Sequence, residues 1–386
     1  MLKGTEEELK AIGAAITTKE IVQQPRLWEE TLTIYQGHER EIQEFIENFA
    51  KESGQKVRVI FTGAGTSAYV GDVVRPHLIR YGHTEAFLFE AIPTTDIVSA
   101  PYDYLLPDAP TLLVSFARSG NSPESVATIQ LADKIVKNLR HLVITCAPEG
   151  QLAQNAKGDP KSLVVLMPAD SNDQGFAMTG SFTCMTLTAL LTFDCTHKNH
   201  DELVRSMVNM GNAALENEER IAKIAGEDFN RVVYLGSGSL CGLTREAQLK
   251  LLELTAGQVA TAFDSSLGFR HGPKSFVDEK TIVFGFVSND EYTRQYDVDI
   301  LEEIFGNKIA VRTIAIAQEP TVFEGINLFL GGETLLPDAY LALPFVLIAQ
   351  TFALLAALKV GNKPDTPSPT GTVNRVVKGV TIHPLD

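Results

Sequence analysis

Cysteine and positive charge are both scarce in this chain of 386 residues. Its four cysteines, at positions 146, 184, 195 and 241, include no pair at CxxC spacing, which argues against a zinc ribbon and against a disulfide framework. Lys and Arg number 33 against 48 Asp and Glu, so the formal net charge is −15. Nucleic acids and anionic membrane surfaces require dense clusters of Lys and Arg, and we therefore expect neither as a partner.

Long hydrophobic runs are also rare. The first ten residues are charged, so we expect no secretory signal and a cytoplasmic protein. One charge-free stretch, residues 339–358, is long enough to cross a membrane. It contains Pro344 and Gln350 and has no counterpart elsewhere in the chain, and we interpret it as a buried core helix.

The chain does contain two copies of one predicted structural pattern. Residues 57–74 and residues 111–132 each predict a buried strand, a polar turn and a helix. Residues 231–250 align with residues 58–77 at an offset of 173, which places Gly236 and Gly238 on Gly63 and Gly65. Apolar strands that alternate with helices indicate a parallel sheet covered on both faces. We therefore predict an α/β fold of two tandem domains, each a parallel sheet flanked by helices in a flavodoxin-like sandwich.

The same pattern suggests four segments. Residues 1–55 read as an N-terminal helical leader, and residues 56–200 as the first α/β domain. Residues 201–360 contain a linker helix and the second α/β domain, and residues 361–386 form a tail that we expect to lie over the active site.

Two polar turns are the candidate ligand sites. The sequence of the first turn, GAGTSA, fits the dinucleotide pattern GxGxxA, with Glu90 near the end of a possible second strand. Its hydroxyl residues, and those of the next turn, favour instead a terminal phosphate bound by the amides of helix N-termini. A third interpretation is that these hydroxyls only cap helices. In the second copy, Gly236 to Ser239 either binds another anion or merely makes the tight turn, and we favour the turn.

Three residues are candidates for acid–base chemistry. Lys250 and Glu253 are three apart on a leucine-rich helix and so share one face, although such a pair is commonly a solvated ion pair. His271 follows a glycine-containing loop and precedes Gly272-Pro273, where an imidazole can exchange protons near neutral pH. The HxxH sequence at residues 197–200 has no ligand framework around it, and we interpret it as an exposed linker.

Taken together, these motifs resemble the sugar isomerase (SIS) family with two tandem SIS domains. The marks are GAGTS, SGNSPES, and LKLLE followed by RHGP. More narrowly, FTGAGTSAYVGD, GFRHGPKS and the tail GTVNRVVKGVTIHP are similar to AgaS-type proteins, which are sugar-phosphate ketose/aldose isomerases or deaminases. The resemblance covers nearly the whole chain after residue 55.

The resemblance implies a role for each candidate residue. Glu253 moves a proton between C1 and C2 of the sugar, His271 opens the ring across a dimer interface, and Lys250 is able to form a Schiff base with a ketose. Lys378 occupies the place of a tail lysine that contacts substrate. One departure is Ala117, where the family has the first hydroxyl of the second turn. The resemblance implies that the substrate phosphate is bound by Gly65, Thr66, Ser67, Ser119, Gly120, Asn121 and Ser122.

The function implied is conversion of an amino-sugar phosphate, galactosamine 6-phosphate before others, to tagatose 6-phosphate and ammonia. A plain tagatose-6-phosphate ketose/aldose isomerase and a deglycase of a sugar–amine phosphate are the alternatives among enzymes. A non-catalytic sugar-phosphate sensor is the alternative outside them. The chemistry requires a phosphate anchor and a carboxylate but neither a cofactor nor a metal. We expect a homodimer or larger homo-oligomer with shared active sites.

Overall fold

The computed structural model describes residues 1–377 and 379–385. The chain divides into two compact units, each built around one sheet. The first-sheet unit contains Leu27–Asp173, Gly180–His200 and Val373–Asp386. The second-sheet unit contains Met1–Arg26, Gln174–Thr179 and Asp201–Thr372.

The first sheet is parallel and has the strand order β2-β1-β3-β4-β5. Every residue of β1 and β3 is buried, because helices cover both faces of the sheet. The strands are β1 Val57–Thr62, β2 Phe87–Ala91, β3 Thr111–Ala117, β4 Leu139–Thr145 and β5 Ser162–Leu166.

The second sheet is also parallel, with the order β10-β9-β8-β6-β7. Each sheet therefore places its first strand between its second and third, which is the flavodoxin-like order. The strands are β6 Arg231–Gly236, β7 Ala260–Ser265, β8 Thr281–Phe286, β9 Arg312–Ala317 and β10 Ile326–Phe329. The predicted fold of two parallel α/β sheets is thus confirmed.

Helices make up most of the remainder. Short 3₁₀ turns lie at Ala169–Ser171, Gly268–Arg270 and Pro273–Phe276. The α-helices are α1 Glu6–Ala11, α2 Ala15–Val22, α3 Gln24–Ser53, α4 Thr66–Tyr81, α5 Thr94–Ser99, α6 Pro101–Tyr104, α7 Pro123–Ile135, α8 Gln151–Ala156, α9 Gly180–Phe193, α10 His200–Glu216, α11 Glu218–Ala225, α12 Ser239–Leu254, α13 Glu291–Asn307 and α14 Asp338–Lys359.

The two glycine turns that the sequence aligned have the same backbone geometry. Gly65 has φ 56° and ψ −128°, and Gly238 has φ 54° and ψ −126°. A Cβ at Gly63 would lie 2.7 Å from the carbonyl carbon of Ser67, and one at Gly236 would lie 2.9 Å from that of Leu240. Only glycine permits so close an approach of strand and helix, which is why both copies carry the pair.

The charge-free helix α14 lies inside the second-sheet unit. It is long and apolar enough to cross a membrane, but 89% of its apolar window is buried within the structure. Gln350, its polar residue near the middle, accepts a hydrogen bond from Gln24 Nε2 at 2.6 Å. The prediction of a buried core helix is confirmed.

One strand was not predicted from the sequence patterns. Strand β7 was not expected, because ATAFDS is a half-buried edge strand without a continuous apolar run. The division of the chain into four consecutive segments stays a prediction. Each compact unit combines segments that are distant in sequence.

Candidate active site

The candidate phosphate turns lie at the carboxyl edge of the first sheet. One turn follows β1 and the other follows β3, and these strands pair directly, with Thr62 opposite Ser115. The strand order reverses direction between them. In open parallel sheets, ligands bind outside the strand ends at this switch point. The fold therefore puts both turns where a ligand is expected.

The first turn places two hydroxyl residues at a helix N-terminus, just after the N-cap. Gly65, which has no side chain, is the N-cap of α4. Thr66 and Ser67 are the first two residues of the helix and are 3% and 5% exposed. Hydroxyls and backbone amides at this end of a helix suit an anion. Neither Thr66 nor Ser67 is therefore the N-cap residue of α4.

The second turn is held in shape by its own hydrogen bonds. Ser119 Oγ accepts the backbone N–H of Asn121 at 3.3 Å, and Asn121 Oδ1 accepts the N–H of Gln151 at 3.0 Å. Ser122 Oγ donates to Ser125 Oγ at 2.6 Å. Gly120 has φ 65°, a conformation that glycine adopts without strain. The turn thus enters α7 as a preformed polar loop.

The dinucleotide interpretation depends on Glu90. In a dinucleotide site, the acidic residue at this strand binds the ribose hydroxyls. Here Arg58 donates to both oxygens of Glu90, from Nε at 2.6 Å and from Nη2 at 3.0 Å. A carboxylate in a bidentate ion pair is a poor acceptor for a ribose. The geometry favours the phosphate.

Sequence reasoning missed Arg118, which lies between the end of β3 and the second turn. Arg118 is 6% exposed, and its guanidinium donates a hydrogen bond to the carbonyl of Arg375 in the tail. Arg375 in turn donates from Nε to the carbonyl of Asp173 at 2.9 Å. A cation directly after an apolar buried strand was the available signal. Its charge lies next to Ser119 in sequence and complements an anion.

The corresponding turn of the second copy is filled by a carboxylate. Asp297 on α13 accepts hydrogen bonds from Ser237 Oγ at 2.6 Å, from Ser266 Oγ, and from the N–H of Ser288 at 3.0 Å. Burial raises the pKa of Asp297 to about 6, although these hydrogen bonds lower it. Leu240 stands where the first copy has Ser67. The turn serves structure here, as its sequence had suggested, because a carboxylate already takes the donors that an anion would need.

Helix α12 carries the candidate acid–base residues on one face. Lys250 Nζ lies 2.6 Å from Glu253 Oε2 and 3.5 Å from Glu246 Oε1. The side chains of Lys250 and Glu246 are 1% and 0% exposed, whereas that of Glu253 is 22% exposed. The structure thus brings Lys250 and Glu253 together. Glu246 was missed, although its spacing of four residues from Lys250 continues the same helix face.

His271 is presented on a braced loop. It is exposed, and its backbone N–H donates to the carbonyl of Gly268 at 2.9 Å. On either side of it, Arg270 and Lys274 bind the carboxylate of Glu303 on α13. Within the described residues, no hydrogen bond joins His271 to Glu253. Lys378, the predicted tail contact, lies outside the described residues.

A cavity of about 920 Å³ lies elsewhere in the second-sheet unit. Residues at the end of α13 and at the amino ends of β9 and β10 line it, among them Glu302, Arg312 and Ile326. This is the edge of the sheet opposite to the strand ends that bind ligands in this fold. Its size alone gives it no function.

Comparison with known proteins places the chain in a family. The SIS domain model matches residues 35–193, which contain both hydroxyl turns. The D-galactosamine-6-phosphate deaminase AgaS of Escherichia coli O157:H7 is 46% identical over 95% of this chain and 95% of its own length. The chain belongs to the AgaS family of SIS-domain proteins.

Other AgaS-family members agree with this assignment. The D-galactosamine-6-phosphate deaminase AgaS of Shewanella sp. strain ANA-3 is 42% identical over 98% of this chain and 94% of its own length. The crystal structure of tagatose-6-phosphate ketose/aldose isomerase from Escherichia coli is 43% identical and covers 95% of this chain and 96% of that one, with a TM-score of 0.87. The resemblance noted from the motifs is confirmed, and this AgaS-family chain retains the relatives' architecture over nearly its full length.

Proposed function

We propose that this AgaS-family chain is a sugar-phosphate isomerase and deaminase that converts galactosamine 6-phosphate to tagatose 6-phosphate and ammonia. The observation that carries the proposal is the carboxylate of Glu253, partly exposed on a leucine-rich helix and 2.6 Å from a buried lysine. A sensor of sugar phosphates would have no need of this pair. The names of the relatives at 42–46% identity support the amino sugar as substrate.

The phosphate of the substrate is the anchor. It binds the amides and hydroxyls of the two turns, with Thr66 and Ser67 from the first and Ser119 and Ser122 from the second. Gly65, Gly120 and Asn121 shape these turns. The charge of Arg118 adds to the attraction. Fixing one end of a flexible open-chain sugar lowers the entropic cost of aligning C1 and C2 with a catalytic group.

The reaction begins when the ring opens to the aldehyde. His271 is the group assigned to this proton transfer. Glu253 then removes the proton from C2, giving an enaminol, and returns a proton to C1, which leaves an imine at C2. Water adds to C2 and ammonia leaves, so the products are the ketose phosphate and ammonia, and one water is consumed. A single carboxylate suffices because C1 and C2 are adjacent.

The position of Lys250 is compatible with two roles in this reaction. Its ammonium compensates the carboxylates of Glu246 and Glu253, and its amine is the group assigned to a Schiff base with a ketose. The first use is electrostatic and the second covalent. Reduction with borohydride in the presence of tagatose 6-phosphate traps a covalent adduct only in the second case.

The proposed enzyme is a cytoplasmic homodimer or larger homo-oligomer in which His271 acts in the partner's site. The exposure of His271 on its braced loop supports this arrangement. Mixing inactive Glu253→Gln and His271→Asn chains should restore part of the activity once subunits exchange. Demonstrated exchange without recovery would instead assign each active site to one chain.

The decisive experiment measures ammonia and ketose together. Galactosamine 6-phosphate and glucosamine 6-phosphate are supplied side by side, and tagatose 6-phosphate is supplied alone. Release of ammonia and ketose in equal amounts, faster from the galacto isomer, is the expected result. Interconversion of tagatose 6-phosphate with an aldose phosphate, without any ammonia release from either amine, would favour the plain isomerase. Binding without turnover of any of the three would leave a sensor.

A further inference from the structure

Two histidines and an aspartate form a compact cluster in the first-sheet unit, away from the phosphate turns. His77 lies on α4, ten residues after Ser67, and Asp194 and His197 follow the end of α9. His77 Nε2 and His197 Nδ1 each lie 2.7 Å from the same oxygen, Asp194 Oδ2. One ligand atom from each residue lies within 4.8 Å of the other two. The mechanism above uses none of the three.

Backbone amides hold the carboxylate of Asp194 in place. Asp194 Oδ1 accepts the backbone N–H groups of Thr196 at 2.8 Å and of His197 at 3.0 Å. Its backbone is pinned to the end of α4 through a β-bridge with Gly82. One oxygen is therefore saturated by amides, and the other points at two imidazoles. Such outer contacts are what hold metal-binding carboxylates in orientation.

The cluster is largely shielded from solvent. The side chains of His77 and Asp194 are 3% and 0% exposed, and that of His197 is 25% exposed. An ion thus has a route of entry past His197, and a water molecule can reach the same side.

We infer that His77, Asp194 and His197 form a binding site for a divalent transition metal of the zinc class. Two imidazole nitrogens and one carboxylate oxygen, with water in the fourth position, make a tetrahedral set of the kind that Zn²⁺ accepts. Around Zn²⁺ such ligand atoms lie about 3.3 Å apart, so each imidazole nitrogen moves from Asp194 Oδ2 by about half an ångström. The ion takes the place of the protons that both imidazoles share with Oδ2.

The ion would join the last turns of α4 to the segment that follows α9. Tyr81 already packs there, with its ring centroid 4.7 Å from those of both His77 and His197. The proposed site is therefore structural, and it is not required for proton transfer at the sugar. The HxxH sequence alone gave no sign of it: His200 is not among the three ligands, and His77 is 120 residues from His197 along the chain.

The test uses the full chain, stripped of metal with EDTA and dialysed. Zn²⁺ is titrated by calorimetry, Co²⁺ is followed by its visible absorption, and melting temperature is recorded with and without Zn²⁺. The wild type should bind one ion per chain, give a tetrahedral Co²⁺ spectrum and melt higher with Zn²⁺, because an ion that binds only the folded state stabilises it. His197→Ala should weaken binding by about tenfold or more.

Three further variants make the result decisive. His77→Gln should also lose binding, and His197→Ala remains informative if this buried substitution impairs folding. His83→Ala and Cys195→Ser remove exposed groups near the cluster and should bind Zn²⁺ like the wild type. Absence of saturable Zn²⁺ binding by the wild type would overturn the proposal. So would binding that survives His197→Ala, or that is lost in Cys195→Ser or His83→Ala.

Discussion

Replacing Lys250 by Met tests whether the α12 cluster is a buried electrostatic unit. The substitution keeps the length of the side chain and removes the ammonium that lies 2.6 Å from Glu253 and 3.5 Å from Glu246. It leaves the Glu246 carboxylate, whose side chain is 0% exposed, without this cation. Removing one partner of a buried ion pair costs about 3–5 kcal/mol. That is a large share of the roughly 5–15 kcal/mol by which a domain is stable.

A second substitution separates stability from catalysis. Glu246→Gln alone should cost less, because Lys250 keeps Glu253 as its partner. In the double variant, Glu246→Gln with Lys250→Met, the buried negative charge is gone along with the cation. It should recover part of the loss, with a coupling of up to about 3 kcal/mol between the two positions. Activity should not return, because the lysine is still missing.

The assay is urea unfolding at neutral pH, followed by far-ultraviolet circular dichroism for the four proteins. Lys10→Met is the matched control, since it breaks an i,i+4 pair with Glu6 in which both side chains are mostly exposed. The control should unfold like the wild type. If Lys250→Met were as stable as the control, or if the double variant lost the sum of the two single losses, the cluster would not be the coupled unit described here.

Three further predictions concern the site and its second copy. Glu253→Gln should lower kcat by roughly 10²–10⁴-fold with little change in KM, because only the proton transfer is lost. Exchange of the C2 proton with deuterated solvent should fall in parallel. Exchange at the wild-type rate would show that another residue is the base. Removing the hydroxyls of Ser67 and Ser119 together should raise KM, since each hydrogen bond to a charged phosphate is worth about 1.5–3 kcal/mol; unchanged binding of the sugar phosphate would exclude these turns as its anchor. The raised pKa of Asp297, about 6 against the ordinary 3.8, means that the folded state holds this proton more tightly, so the stability it contributes at low pH is lost as pH rises through about 6. The difference in unfolding free energy between the wild type and Asp297→Asn should therefore change by about 2 kcal/mol between pH 4 and pH 7. A difference that does not vary with pH would contradict the burial argument.

Local patterns were enough to predict the fold. Strands β1, β3 and β6 are mostly apolar and are followed by turns that contain glycine. A chain in which such strands alternate with helices has few alternatives to a covered parallel sheet. The offset of 173 residues predicted equivalent turns, and Gly65 and Gly238 differ by only 2° in φ and in ψ. Helix α14 was interpreted as a core helix because its charge-free run contains Pro344 and Gln350 and has no counterpart elsewhere in the chain. Edge strand β7 escaped because half of its surface faces solvent and its residues carry no apolar pattern.

Several residues of the proposed site could also be selected from local sequence patterns. Thr66, Ser67 and the turn from Ser119 to Ser122 could be selected because each follows directly from a strand and begins a helix. Lys250 and Glu253 could be paired because helix geometry fixes neighbours three and four residues apart. Their roles in catalysis stay predictions until the variants are measured.

What only the tertiary structure decided are the contacts between residues far apart in the chain. The bidentate pairing of Glu90 with Arg58 depends on two neighbouring strands, and the closure of the second glycine turn depends on Asp297, about 60 residues away. The cluster of His77 with Asp194 and His197 requires α4 and α9 to end at one place. Short-range patterns record the local preferences of the backbone. They do not record which distant side chains the packing of helices on a sheet will bring within hydrogen-bonding distance.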